Sequence, residues 1–421
     1  MKIISIKNTE QFLKKIGTKN SSKNQKTVES ILKDVKKNGD SAIKKYEKKF
    51  GGGSISSLRV SKRDIASAYS KVSTSDISAI KLAKFRLSKA ELAVKRQLKD
   101  VIIKSGGTKL SKSFVPIESV GCYVPGGAAR YPSSAIMSVV PAKVAGVKRI
   151  VVVSPPNSSG SVDPLTIVAA DICGATEIYK TGGVQSIGAL SFGTRSIKKV
   201  DKIVGPGGAF VTLAKYLVSN ITSIDMMAGP TELGIVIDSS TDTDLAALDL
   251  ISQAEHSSDT FCFALTTSSS VAKKIQSSVD SKLKNIERSN IVKSSLESNG
   301  FIAVCNTSDI IEIANELAPE HLEIISKNAK KWNKIKNPGT ILLGRNSPSS
   351  ASDYLLGSNH ILPTNGFGKT RGSLSVLDFV KLLTRVETSK KDLQKISKSM
   401  RNLTLAEGLP NHYEAVRGRL K

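Results

Sequence analysis

The chain has 421 residues, a formal charge of +26 and 39% hydrophobic residues, with four cysteines and four histidines. That length exceeds one ordinary domain, so about two or three are expected, and no apolar run reaches the roughly 20 residues of a membrane span. The start, Met1-Lys-Ile-Ile-Ser-Ile-Lys, is too short in apolar residues for a secretory signal, and Cys122, Cys173, Cys262 and Cys305 form no C-x-x-C pair, so a cytoplasmic protein without disulfides or a zinc ribbon is expected.

Residues 1–120 read as mainly helical. Val28, Ile31, Leu32 and Val35 fall at helical spacing, and Gly51-Gly-Gly53 interrupts the pattern. The stretch Ser41–Phe50 reads as a solvated, lysine-bearing face. Residues 76–100 form a second amphipathic stretch through Ile77, Ile80, Leu82 and Leu92, before Val101-Ile-Ile and Gly106-Gly107 change its character. From residue 120 strands and helices alternate. Arg149–Ser154 is a β-branched run suited to a buried parallel strand, followed by a helix from Asp163 to Cys173 with Pro in its first turn. Strand Glu177–Lys180, helix Gln185–Phe192, strand Lys202–Val204 and helix Ala209–Val218 continue the rhythm. It resumes with strand Leu233–Ile237, helix 242–256, strand Thr260–Thr266, helix 270–286, strand Phe301–Cys305, helix 308–317 and strand Thr340–Leu343. Two doubly wound, Rossmann-like α/β units and a small helical tail from about residue 375 are expected. Ligands of such sheets bind beyond the carboxyl ends of strands, where most of the notable residues are expected.

Residues 1–120 carry 28 Lys and Arg against 10 Asp and Glu, most of the basic surplus. A nucleic-acid binder would show such a balance, but no RNA-binding aromatic signature or zinc-finger spacing accompanies it.

All four histidines stand near carboxylates. His256 closes Gln253-Ala-Glu-His256, His321 follows Glu320, His360 lies seven residues after Asp353, and His412 five after Glu407. Gln253 and His256 share a helix face. Asp353 and His412 could complete a set of two nitrogens and two oxygens, which suits zinc or a similar divalent metal. Glu320-His321 is a natural acid–base pair for activating water and moving protons. The turns Gly121-Cys-Tyr-Val-Pro-Gly-Gly127 and Gly205-Pro-Gly-Gly208 are neither a dinucleotide fingerprint nor a P-loop, so on spacing alone cofactor binding and plain turns are equally open. Cys122, beside the first turn, is the one cysteine considered for chemistry.

Together with Pro141-Ala-Lys-Val-Ala-Gly146, Gly182-Gly-Val-Gln185, Ala228-Gly-Pro-Thr-Glu232, Ala318-Pro-Glu-His-Leu322 and Asn359-His-Ile-Leu-Pro363, these motifs resemble histidinol dehydrogenases from about residue 20 onward. The resemblance implies NAD- and zinc-dependent four-electron oxidation of L-histidinol through L-histidinal to L-histidine. It implies Gln253, His256, Asp353 and His412 as metal ligands, His321 as the base and Glu320 as the group that activates the hydrating water. Thr231, His360 and Glu407 match substrate contacts, beside His321 and the ligands themselves; Tyr123, Gln185 and Gly208 match cofactor contacts. It implies a homodimer whose C-terminal tail, residues 375–421, completes the partner's site. Its division is an N-terminal segment 1–20, a discontinuous domain of 21–121 with 233–374, and a second domain 122–232. A thiohemiacetal on Cys122 is disfavoured because Glu320 and His321 suffice.

Three features depart from the family pattern: Thr231 where Ser is frequent, Gly208 where Asn is common, and the basic surplus. Competing readings are a dehydrogenase of this fold acting on another amino or sulfonated alcohol, a metal-dependent hydrolase using Glu320, and a basic nucleic-acid binder.

Overall fold

The computed structural model describes residues 1–16, 24–126 and 130–421; Gly127, the last glycine of the first turn motif, lies outside them. The chain opens with β1 (Lys2–Ser5) and α1 (Thr9–Ile16), then α2 (Gln25–Lys49), α3 (Lys62–Tyr69) and α4 (Thr74–Lys95). Helix α2 is kinked at Gly39, whose φ of +52° favours a residue without a Cβ. The hairpin β2 (Val101–Ser105) and β3 (Thr108–Pro116) follows, and the alternating region begins at β4 (Ser119–Tyr123).

That region runs α5 (Pro132–Ala145), β5 (Arg149–Ser154), α6 (Pro164–Cys173), β6 (Glu177–Lys180), α7 (Gly183–Phe192), β7 (Lys202–Val204), α8 (Ala209–Val218) and β8 (Ser223–Ile224). Asp163 caps α6 by accepting from the N–H groups of Leu165 and Thr166, with Pro164 at the first helical position. The strands form an all-parallel sheet in the order β6-β5-β4-β7-β8. Ile150 and Val152 of β5 enter the core under α4, α5 and α6, whereas Val151 and Val153 enter the core under α2, α7 and α8. Burial on both faces is why this strand is an unbroken apolar run.

The second stretch comprises β9 (Glu232–Ile237), α9 (Thr243–Ala254), β10 (Phe261–Thr266), α10 (Ser269–Lys282), α11 (Ser289–Ser298), β11 (Phe301–Val304), α12 (Thr307–Leu317), β12 (His321–Ile325), β13 (Thr340–Leu343) and α13 (Ser349–Tyr354). Its sheet is also parallel, in the order β1-β11-β10-β9-β12-β13. Cys262 and Ala264 of β10 pack under α9, α10 and α11, and Phe263 and Leu265 under α12. The chain ends with β14 (Val380–Thr388), α14 (Lys390–Ala406) and α15 (Pro410–Gly418).

Three expectations are corrected by this arrangement. The N-terminal segment supplies a strand: β1 pairs with β11 at the sheet edge, in a run too short to show a period. The tail is helical only from α14, because Val380-Lys-Leu-Leu-Thr-Arg-Val pairs as β14 with β3 along nine residues. Residues 25–95, expected to go with 233–374, bury their apolar faces against α5, α6, α7 and α8 instead.

Glu91 of α4 fixes the start of the tail by accepting the Val376 N–H at 2.6 Å. Burial pushes its carboxyl from 4.5 up to about 7, with the Asp378 charge adding to the rise. A carboxyl raised on folding contributes stability in full below its unfolded pKa and loses it as pH rises through the folded value. Glu91→Gln retains the acceptor and removes the titration. We expect this variant to recover on the order of 3 kcal/mol at pH ~8 relative to pH ~4. Thermal melts at the two pH values would show an unchanged gap if Glu91 were not responsible.

Candidate active site

The two sheets place candidate residues at opposite kinds of edge. In the five-stranded sheet the chain order reverses between β4 and β7, so a crevice is expected outside the carboxyl ends of these strands. Tyr123 ends β4 there, and Gly205–Gly208 follows β7. In the six-stranded sheet the reversal lies between β9 and β12, but the acid–imidazole group sits at their amino ends. The expectation that the notable residues occupy carboxyl ends is therefore corrected for the acid–imidazole group. The 225–232 connection joins the two edges: Thr212 of α8 donates to the Ala228 carbonyl at 2.9 Å, and the Thr364 hydroxyl accepts the Gly229 N–H.

Glu232 begins β9 and Glu320 immediately precedes β12. Each accepts the other's backbone N–H, at 3.1 and 3.2 Å, and Glu232 also accepts the Asn365 N–H at 2.9 Å. Burial pushes Glu232 up to about 7 and Glu320 up to about 8, with the His321 charge opposing the rise in Glu320. His321, the first residue of β12, is 2% exposed. Its Nε2 lies 3.0 Å from Asp353 Oδ1, and its Nδ1 is buried without a partner among the described residues. Burial lowers its pKa, but the Asp353 hydrogen bond and the Glu320 and Asp353 charges outweigh that and raise it to about 9. Burial likewise works against the Asp353 carboxylate, yet the bond and charge of His321 hold it below its ordinary value.

Helix α13 carries Asp353 into this group, with the Ser349 N–H donating to Glu323 Oε1 at 2.6 Å. His360 follows on a loop that folds back, its Nδ1 at 2.9 Å from the Asp353 carbonyl, and Asn359 anchors the loop to the Met137 carbonyl of α5 at 2.7 Å. Helix α9 packs against α13. Gln253, in its last turn, is 2% exposed with Nε2 unpartnered. His256 lies just beyond, open to solvent at its surface yet crowded enough by protein that desolvation lowers its pKa against the raising charge of Asp353. The charges of Asp353 and His321 act on both His256 and His360, so these four groups lie near one another, with Gln253 one turn before His256.

Glu407 and His412 do not join them. They lie exposed at the end of α14 and in α15. Among the described residues no three His, Cys, Asp or Glu side chains are grouped to hold a metal, so the four expected ligands are not assembled within one chain. Thr231 lies at the entrance to β9, its carbonyl accepting the Phe261 N–H at 2.9 Å.

At the other edge, the Tyr123 hydroxyl accepts the Gly183 N–H at 3.3 Å. Gln185 is buried in the first turn of α7, and Gly208 is the N-cap of α8. Cys122 is fully buried in the core, which pushes its thiol up to about 12 and keeps it from acting as a thiolate. No motif in the sequence assigns a role to Glu232, Glu323 or Glu47. Glu232 was visible at the end of Gly-Pro-Thr-Glu, whereas burial of the other two had no local signal.

A family model described as histidinol dehydrogenase matches residues 14–420. The histidinol dehydrogenase of Methanocaldococcus jannaschii is 43% identical over 396 residues, covering 94% of this chain and 92% of the relative. That of Clostridium acetobutylicum is 41% identical over 413 residues, covering 98% and 96%. The crystal structure of the enzyme from Elizabethkingia anophelis superposes with a TM-score of 0.94 at 34% identity, covering 100% of this chain and 98% of that one. With an ordered set of site motifs and matches along nearly its entire length, this chain belongs to the histidinol dehydrogenase family of oxidoreductases, which act in histidine biosynthesis.

Proposed function

We propose that the chain carries out both oxidations of L-histidinol, through L-histidinal to L-histidine, with two NAD⁺ as hydride acceptors and one zinc ion per subunit. The observation that carries this reading is the buried Glu320–His321 pair, with His321 bonded to Asp353. In the first step the alcohol loses a proton and a hydride; water then adds to the aldehyde, and the hydrate loses a second proton and hydride. His321 takes the proton of the alcohol, returns it to the aldehyde oxygen as water adds, and takes it again from the hydrate. Glu320, in the ionised form that burial confines to pH values near or above about 8, takes the proton of the adding water. Thr231 and His360 hold the substrate, and enclosure keeps the aldehyde from reacting elsewhere.

The donor types of Gln253, His256 and Asp353 fit zinc, and the buried unpartnered amide of Gln253 is suited to a ligand position. Bound there, the ion supplies an anchor for substrate nitrogens and draws negative charge from Asp353, the group that raises the His321 pKa. His412 of a second copy is proposed as the fourth ligand and Glu407 of that copy as a substrate contact. Support comes from the apolar face on the tail and its neighbouring hairpin, where Ile102, Leu382, Val386, Leu403 and Leu409 are exposed in one copy.

Tyr123, Gln185 and Gly208 are proposed to contact NAD. Gly208 has ordinary backbone angles, and a Cβ there meets nothing within 4 Å. An Asn fits and would restore a polar contact. We expect Gly208→Asn to tighten NAD⁺ by about 1 kcal/mol, the scale of one hydrogen bond; an unchanged NAD⁺ KM would refute the contact.

The whole reading is tested by following NADH absorbance with L-histidinol and NAD⁺. Two NADH per histidinol, abolished by a chelator and restored by zinc, is the expected result. No NADH from folded, zinc-loaded protein would exclude histidinol as the substrate.

A further inference from the structure

The hydrogen bonds at the start of α7 converge on a carboxylate that the oxidation steps do not use. Glu47, in the last turn of α2, is 3% exposed. Its Oε1 accepts the Thr181 hydroxyl at 2.8 Å, the Gly182 N–H at 2.9 Å and the Gln185 side-chain amide at 2.7 Å. Burial raises the pKa of this acid, and the three donors oppose the rise. Such a cluster of donors is what a buried acid needs where no cation faces it.

These bonds decide which end of Gln185 is free. A carboxylate only accepts, so the amide must turn Nε2 toward Glu47. Its Oε1 then faces the Gly182–Gly183 turn, 3.0 Å from where a Cβ on Gly183 would stand. That oxygen is buried and without a partner among the described residues. An unpaired buried acceptor is costly, so its retention points to a ligand that supplies the donor. The Tyr123 hydroxyl accepts the Gly183 N–H and keeps its own proton to donate.

We propose that Glu47 is a positioning residue for the cofactor: it locks the Gln185 amide so that its carbonyl oxygen, not its N–H₂, meets the dinucleotide. The group recognised there is a donor on the cofactor, the carboxamide N–H₂ or an amino or hydroxyl group of the adenosine half. The proposal rests on the reading of Gln185 as a cofactor contact.

NADH fluorescence titration of the full chain tests it, with the KM for histidinol as a second readout. Glu47→Met removes the acceptor, and we expect NADH to bind roughly tenfold more weakly while the histidinol KM stays unchanged. Glu47→Gln retains a carbonyl for the same three donors and is expected to bind within about twofold of the parent chain. Folded Glu47→Met that binds NADH normally, while Gln185→Leu binds it weakly, overturns the positioning role. Normal binding by Gln185→Leu instead overturns the cofactor reading beneath it. Should Glu47→Met fail to fold, Glu47→Asp withdraws the carboxylate by one methylene, and normal NADH binding there is equally fatal. Repeating the titration with the 3-acetylpyridine analogue, which lacks the carboxamide N–H₂, locates the donor. An effect of Glu47 that vanishes supports the carboxamide, and one that persists supports the adenosine half.

Discussion

His321→Asn is expected to lower kcat by about 10²- to 10⁴-fold, the range lost when a positioned general base is removed. The KM for histidinol, the zinc content and the oligomeric state should stay near those of the parent chain. His321 is the imidazole best placed for this role. His256 stands open at the end of α9, and His360 has Nδ1 engaged with the Asp353 carbonyl. His321 alone begins a buried strand, next to Glu320 and 3.0 Å from a carboxylate that orients its ring. Asn at this position retains a polar group but has no ring nitrogen to bond Asp353 and cannot take up a proton as an imidazole does. The loss should therefore fall on both oxidations, because alcohol and hydrate each surrender a proton. Turnover within tenfold of the parent, with zinc and fold intact, would remove His321 from the mechanism.

The legible parts of this fold are those where one local rule suffices. Arg149–Ser154 and Phe261–Thr266 are strands buried on both faces, and their apolar runs show it. Helix α8 was readable to its end residues because Gly208 and the apolar stretch after it delimit it. What was hidden depends on distant partners. Lys2–Ser5 becomes a strand only because β11 offers an open edge, and Val380–Thr388 because β3 does. The Ser41–Phe50 stretch reads as a lysine-covered surface, yet Ala42, Ile43, Tyr46 and Glu47 are buried against the five-stranded unit. The site shows the same division. The spacing of Gln253 and His256 suggested one helix face, but α9 ends at Ala254 and leaves His256 beyond its cap, whereas adjacency did join Glu320 to His321. The Glu232–Glu320 exchange required β9 and β12 to pair, which no local pattern specifies.

The proposed exchange of tails extends this dependence to a second copy, and it yields the other large expected effect. His412→Asn and His321→Asn should each be nearly inactive alone, yet mixing them under conditions that exchange subunits should restore activity. Each site is proposed to take His321 from one chain and His412 from the other. A mixed dimer then has one site with both intact and one with neither. Random pairing makes half the dimers mixed, so about a quarter of the parent activity is expected. The exposed apolar residues of β14 and α14 are where the exchanged tail would be buried, and the exposed position of His412 leaves it free to reach another chain. A site completed within its own chain gives no recovery at any mixing ratio, because every chain then carries one defect at its own site. Recovery near a quarter, with size-exclusion chromatography showing a dimer, would instead require the tail to act across the interface.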